Sequence, residues 1–368
     1  MKVIFLIKGS LERNVPIISQ IQIALYNDIS VVIICTSCDN KLSDILKDKG
    51  AIIIETKHRS LGRGFFKKII DWIAVKRKFS VLVKKNYSSG SLLYIGSVDT
   101  ALAIGKILFK YKYILHIREL YDTYPIYLQL LKKYAKNSLA NIVPEYNRSF
   151  ILMNYLKLNT PPSVIPNKPF NHPATKFMQI SDTEISKKIH LLKKKKIILY
   201  QGHISSDRGL ESFFQNILSV INEEWVLVLM GSNHDSIVER LMQKSNKLIY
   251  FENVNAPFHL EVTSHAYIGL VSYDSKSLNN IYCAPNKIFE YAGFGIPILG
   301  NDIPGLKYTI ETNNAGKCIN TDDVHSVQNA LLSISENYEK YSENSKIFFS
   351  LYDNNKLFLD ILSTVSKK

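Results

Sequence analysis

Short apolar runs bounded by turn residues recur along the chain. VIFLI (3–7), VVIIC (31–35), AIIIE (51–55), SLLYIG (91–96) and YILHI (113–117) are separated by stretches of helical period. Continuous apolar strands alternating with helices imply a parallel sheet covered on both faces. The alternation lapses after VIPNKP (164–169), and a polar, basic stretch runs to Lys193-Lys194-Lys195-Lys196. It resumes with IILYQG (197–202), WVLVLMG (225–231), LIYF (248–251), IGLVSY (268–273) and PILGN (297–301). The pattern predicts an α/β chain of two αβα units: residues 1–168, a linker over 169–196, and residues 197–344. The segment from about Tyr341 to Val365 is helical in pattern.

A chain of 368 residues fits two domains, and 46% hydrophobic with 21% charged residues is a globular balance. No apolar run reaches the roughly 18 to 20 residues that span a bilayer. The opening MKVIFLIKG stops at Lys8 and Gly9 with no small-residue cleavage site, so it reads as a buried first strand and the expected location is cytoplasmic. Cys35 and Cys38 have C-x-x-C spacing, but no second pair follows, and thiols at a strand end are the simpler account.

The formal charge of +14 is unevenly placed. Between Lys57 and Lys85 stand ten basic residues, Arg59 and Arg63 among them, against Asp71 alone. Phe65, Phe66 and Trp72 interleave there with Lys67, Lys68, Lys76, Arg77 and Lys78 as an amphipathic basic helix. Two readings stand: a helix packed on the sheet with its lysines in water, or one that meets the anionic inner face of the cell membrane.

In open parallel sheets ligands bind beyond the carboxyl ends of the strands. After IILYQG come Gly202, His203, Arg208 and Gly209, then a helix. The glycines permit close backbone approach, Arg208 offers a fork for phosphate oxygens, and the helix N-terminus adds donors. A turn and helix cap would look the same. The run from Cys283 to Leu299 opens a helix at Pro285-Asn286 and sets Lys287 and Glu290 on it; a carboxylate there can accept two hydrogen bonds from vicinal ribose hydroxyls. Gly295 and Pro297 end the helix and begin a strand, and Pro304-Gly305 lie in the next loop.

PNKIFEYAGFGIPILGNDIPG (285–305), preceded by IGLVSY and followed by NNAGKCINTDD (313–323), resembles the donor-binding core of the large retaining family of GT-B glycosyltransferases that builds bacterial surface polysaccharides. YQGHISSDRGLE (200–211) is similar to that family's glycine loop and VIPNKP to its interdomain segment, with weaker agreement over LHIREL (115–120) and ANIVPEYNRS (140–149). The resemblance implies a GT-B fold, two Rossmann-like αβα domains facing each other across a cleft that closes on the substrates, with a C-terminal helix over about 345–368 crossing back to pack on the first domain. It implies a nucleotide-sugar donor on the second domain and a saccharide or lipid-linked saccharide acceptor on the first, serving capsule, O-antigen or related surface glycan synthesis with retention. Glu290 would hold the donor ribose, Arg208 the diphosphate, and Gly202, Gly209, Pro304 and Gly305 would line the pocket. His203 stands where the family often has Arg. Tyr282 replaces a second glutamate that contacts the transferred sugar, so Asn279, Asn280, Asn286 and Lys287 become candidates for recognising it.

On the first domain, Gly9, Ser10, Arg118 and Asp122 are the expected acceptor-side residues, and Asp99, His116 and Glu119 the candidate catalytic groups, all at strand ends. A retaining enzyme of this resemblance needs no protein base, because the leaving phosphate can take the proton. Asp322-Asp323 read as helix capping, so no metal or other cofactor is expected. A sugar-nucleotide epimerase or hydrolase on the same scaffold is the main alternative; a nucleic-acid-binding protein would use the positive charge but lacks any signature for it.

Overall fold

The computed structural model describes residues 1–57, 65–206, 209–252 and 254–367, and the chain divides into two compact units, Met1–Phe170 with Asp353–Lys368, and Asn171–Tyr352. In the first, β1 (Lys2–Ser10), α1 (Val15–Tyr26), β2 (Ser30–Ser37), α2 (Asn40–Asp48), β3 (Ile52–Glu55), α3 (Phe65–Asn86), β4 (Ser91–Ile95) and α4 (Val98–Ile104) follow in order. Then come β5 (Tyr113–His116), α5 (Pro125–Asn137), β6 (Ala140–Val143), α6 (Tyr146–Leu156) and β7 (Ser163–Val164). The strands form one parallel sheet in the order β3-β2-β1-β4-β5-β6-β7. Its centre, Val3 to Ile7 of β1, is wholly buried because both neighbours and both faces are covered.

The second unit holds α7 (Thr183–His190), β8 (Lys196–Gln201), α8 (Leu210–Val220), β9 (Trp225–Met230), α9 (Ile237–Met242), β10 (Leu248–Phe251), α10 (His259–Thr263) and β11 (Ile268–Val271). After these come α11 (Leu278–Ile281), α12 (Asn286–Gly293), β12 (Ile298–Asn301), α13 (Pro304–Ile310), β13 (Gly316–Ile319), α14 (Val324–Glu336) and α15 (Tyr338–Ser350). Its parallel sheet has the order β10-β9-β8-β11-β12-β13. Phe213, Phe214 and Leu331 pack one face, and Phe289, Tyr291 and Phe348 the other.

The polar stretch expected to link the domains is part of the second unit. Asp182 caps α7 by accepting from the amides of Glu184 and Ile185, and Ile180, Ile189 and Leu192 enter that unit's core. The C-terminal segment is two helices. α15 stays in the second unit, whereas α16 (Asn354–Ser366) returns to the first, where Phe358 and Leu362 join Phe5, Tyr94 and Ile114. Asn354 secures that return through its side-chain amide, which donates to the carbonyls of Pro166 at 2.8 Å and Lys168 at 3.3 Å.

Candidate functional site

The carboxyl ends of β8 and β9 meet backbone to backbone. A Cβ on Gly231 would fall 1.8 Å from the carbonyl oxygen of Gly202, so only glycine fits, and both residues have positive φ. The two chains continue together past the strands: Ile204 donates to Ser232 O at 2.9 Å, and His234 to Ile204 O at 3.2 Å. This pairing places the rings of His203 and His234 with centroids 4.3 Å apart. The Nδ1 of His203 lies 3.1 Å from Ser232 Oγ. Gly209, in the left-handed region, precedes α8 with open space where a side chain would project. Arg208 and Asp207 lie outside the described residues.

Helix α12 brings Lys287 and Glu290 to the same strand end. The Lys287 ammonium is buried 4.1 Å from the centroid of the Tyr200 ring and over Gly202, 3.1 Å from where a Cβ would stand. Glu290 is more enclosed than a carboxylate presented to solvent, its side chain only 5% exposed. One oxygen accepts from Gln201 Nε2, and the other lies 3.1 Å from His259 Nε2. Thr263 Oγ1, 2.6 Å from Gln201 Oε1, turns the amide so that its nitrogen faces the acid. Burial opposes ionisation of Glu290, but the charge and hydrogen bond of His259, with His172 and Lys287 beyond, outweigh it and hold the acid below the usual carboxylate range.

His172 fixes the helix itself. Its Nε2 is 3.0 Å from the Glu290 carbonyl oxygen, and its ring fills the space a side chain on Gly293 would need, with a Cβ there only 2.6 Å from the ring. Asn286 opens α12 half-buried. A Cβ on Gly305, in the first turn of α13, would fall 2.8 Å from the backbone of Ile281 and Cys283, which explains the glycine after Pro304 as close packing. Asn280 is engaged with Asp274 Oδ1 at 2.9 Å. Gln201, His259, Thr263 and His172 had no signal in the sequence as site residues, since they come from four separate segments.

In the first unit several expected roles change. His116, the last residue of β5, is fully buried with Nδ1 3.1 Å from the Tyr94 hydroxyl; burial first, and then Arg118, push its pKa down to about 3. It sits in the core and not at a site open to substrate, which removes it as a general base. Asp99 is likewise occupied. Lys8 Nζ is 2.5 Å from one oxygen, while the Trp72 indole donates to the other at 3.0 Å and the Tyr127 hydroxyl at 3.2 Å. Trp72 therefore faces its own unit, not a membrane.

Gly9 and Ser10 continue β1 instead of forming a loop: Gly9 N donates to Thr36 Oγ1 at 3.0 Å, and the Ser10 and Ser37 hydroxyls are 2.9 Å apart. Glu119 is 53% exposed and 3.7 Å from buried Arg148, whose guanidinium also donates to the Arg118 carbonyl. Asp122 is half-buried nearby in sequence. Cys35 and Cys38 are free thiols, and burial pushes both up, Cys38 to about 12.

Helix α3 carries two apolar stripes. Val75, Phe79 and Val83 face the core, while Phe66 (79% exposed), Ile70 (53%) and Ile73 (48%) face outward beside exposed Lys67, Lys76 and Arg77. Lys78 donates to Thr56 O at 2.8 Å. The side chains of Phe65 and Lys68, with Arg59 and Arg63, lie outside the described ones.

Residues 195–337 match the family model of group 1 glycosyl transferases. Solved structures share the fold over the whole chain. Anabaena HepE in complex with UDP and glucose is 13% identical, with all of both chains covered and a TM-score of 0.73. Sucrose-phosphate synthase from Thermosynechococcus elongatus is 15% identical over 99% of this chain and 98% of that one, at 0.72. Residues 195–337 form a group 1 glycosyl transferase domain, in a chain of the GT-B fold. The lipopolysaccharide outer core galactosyltransferase WaaB in its apo form is 12% identical to this chain over 99% of each chain, with a TM-score of 0.59. No curated protein sequence matches it. The residues that match the family model contain the glycine-lined strand ends, Lys287 and Glu290, but not the first unit.

Proposed function

We propose that the second unit binds a nucleotide sugar and that the enzyme transfers its sugar, with retention, to a saccharide or lipid-linked saccharide acceptor held by the first unit, in bacterial surface glycan synthesis. The observation that carries the reading is the convergence of Lys287 and an ionised Glu290 on the glycine-lined carboxyl end of β8. Lys287 would neutralise the diphosphate in a site of low dielectric, where a fixed cation acts strongly. Arg208, from the same loop, is assigned to the diphosphate by resemblance. Glu290 has about four lone-pair directions; Gln201 and His259 use two, leaving acceptor capacity for ribose hydroxyls. HepE is described in complex with UDP-glucose, which supports a uridine nucleotide as the first donor to try.

In the transfer the acceptor oxygen bonds to the anomeric carbon as the bond from that carbon to the β-phosphate oxygen breaks. The acceptor's proton goes to the departing phosphate oxygen, and the nucleoside diphosphate leaves. No step calls on a metal or on His116. Arg118, Glu119 and Asp122, at the carboxyl end of β5, are the acceptor-side candidates, with Gly9 and Ser10 at the end of β1.

The outward stripe of Phe66, Ile70 and Ile73, flanked by Lys67, Lys76 and Arg77, supports peripheral attachment to an anionic membrane, which would bring a lipid-linked acceptor to the first unit. Among the described residues no helix is long and apolar enough to cross a membrane.

The test is a thermal-shift screen without added metal against UDP, GDP, CMP and dTDP and their sugars, followed by a donor-consumption assay with and without acceptor saccharides. A melting increase with one nucleotide and consumption that depends on acceptor are expected. Full consumption without acceptor would replace transfer by epimerisation or hydrolysis, and no shift with any nucleotide would end the donor reading.

A further inference from the structure

The loops after β8 and β9 bring together two histidines that no resemblance assigns as a pair. His203 is half-buried and tied to Ser232, and His234 is exposed beside it, their rings 4.3 Å apart. The arrangement is built by the backbone, since Gly231 must be glycine to lie against Gly202, and the exchange between Ile204, Ser232 and His234 sets the two rings side by side. Tyr200 donates from its hydroxyl to the His203 carbonyl at 2.9 Å, which steadies the position from the strand below. The Lys287 ammonium lies over Gly202. Among the described residues three potential cations therefore gather on one glycine-lined strand end, and of these the lysine is the fixed charge.

We propose that His203 and His234 form a proton-linked binding site for the diphosphate of the donor, so that this enzyme takes up a proton when the nucleotide sugar binds. The inference rests on the donor reading of this strand end and specifies how the anion is recognised there.

A neutral imidazole offers one donor and one lone pair, and the lone pair repels a phosphate oxygen; protonation converts it to a second donor. Two imidazolium rings at this distance repel each other unless an anion lies against both, which a diphosphate bound between them would supply. Other ionisable groups bear on the balance. Asp235 follows His234, and its carboxylate accepts from Ser206 N and Ser206 Oγ, each at 2.7 Å. Those two hydrogen bonds lead in holding its pKa down, with His234 adding to them, so Asp235 is an anion already committed to the loop. Glu239 accepts from Asn233 at 2.7 Å, Arg240 is engaged with Glu211, and the Lys287 ammonium lies over Gly202 and the Tyr200 ring.

The experiment is isothermal calorimetry with UDP-glucose, ADP-glucose, GDP-mannose and dTDP-glucose, each in two buffers of low and high ionisation enthalpy, at pH values from 6 to 8.5. The bridged diphosphate of a nucleotide sugar has no group of its own that titrates near neutrality, so a buffer-dependent enthalpy reports protons taken up by the protein. The wild type is expected to bind one of the four with uptake of about one proton on the alkaline side, its affinity falling about tenfold per pH unit for each linked proton. His234→Gln should reduce the uptake with the fold intact, and His203→Arg should keep the affinity while flattening its pH dependence. Tight binding with the same enthalpy in both buffers would overturn the proton linkage and leave the donor reading standing. Unchanged uptake in both variants would move the proton elsewhere and overturn the assignment to this pair. Binding of none of the four would remove the donor reading and this inference together.

Discussion

His259 Nε2 lies 3.1 Å from Oε1 of Glu290, and the two come from helices that begin 27 positions apart in the chain, α10 at His259 and α12 at Asn286. The pair makes Glu290 an anion fixed in place, with Gln201 on its other oxygen. A residue expected to be a contact for substrate is also a structural member of its unit.

Glu290→Gln should therefore change stability as well as binding. The new amide sets a donor against either Gln201 Nε2 or His259 Nε2, a loss of about 1 to 3 kcal/mol for a buried group left unmatched. Chemical denaturation should show a lower midpoint, and calorimetry well below the melting temperature a donor affinity reduced by about 1.5 to 3 kcal/mol. Unaltered donor affinity in the folded variant would remove the ribose assignment.

The depressed acid also sets a pH dependence. A carboxyl whose folded pKa lies below its unfolded value of about 4.3 contributes stability above that value and loses it as pH falls through the folded pKa. The melting-temperature gap between wild type and Glu290→Gln should be constant from pH 7 to 5 and narrow below about pH 4. A gap that persists undiminished to pH 3 would show that the charge is not what stabilises the fold there.

His116 acts in the same direction over a higher pH range. Its folded pKa, about 3, lies below the unfolded value of about 6.5, so the unfolded chain binds the proton first and stability falls as pH drops between the two. The slope is about 1.4 kcal/mol per pH unit for one such group. His116→Gln, whose amide can still donate to the Tyr94 hydroxyl oxygen, should lack that slope between pH 6 and 4 in urea unfolding followed by fluorescence; equal slopes would exclude His116 as the cause.

Two glycines of the second unit should respond very differently to alanine. Gly231→Ala puts a Cβ 1.8 Å from a carbonyl oxygen and should prevent the second unit from folding, read as loss of soluble protein. Gly209→Ala meets open space and should cost only the left-handed backbone penalty of about 1 to 2 kcal/mol. Similar costs at the two positions would contradict the close approach of β8 and β9.

For the outer face of α3, replacing Phe66, Ile70 and Ile73 together by Ser should leave the melting temperature nearly unchanged, because those side chains are exposed. Flotation with anionic liposomes should fall sharply. Flotation equal to wild type would count against the membrane role.

The strands at the centre of each sheet were legible because both faces are covered and their apolar runs are unbroken, as in Val3–Ile7 and Ile197–Tyr200. β6, β7 and β13 were not. Each is four residues or fewer, and β13 carries Lys317, so neither length nor pattern separates it from a loop. The stretch before β8 was misread as a linker because its many lysines mask the widely spaced Ile180, Ile189 and Leu192 that bury it. At the candidate site the helix carrying Lys287 and Glu290 could be read from its start and stop residues. The partners of Glu290 could not, since Gln201, His259 and His172 are brought to it only by the tertiary fold.

The return of α16 to the first sheet has a consequence for how the protein is made. The strands of that sheet leave the ribosome within the first 164 residues, yet Phe358, Ile361, Leu362 and Val365 belong to its core. The second unit is one uninterrupted stretch and can close as soon as residue 352 has emerged. The unit that is synthesised first must therefore wait, with part of its apolar surface uncovered, until residues 354–366 have followed the second unit, and the sheet begun earlier is completed later.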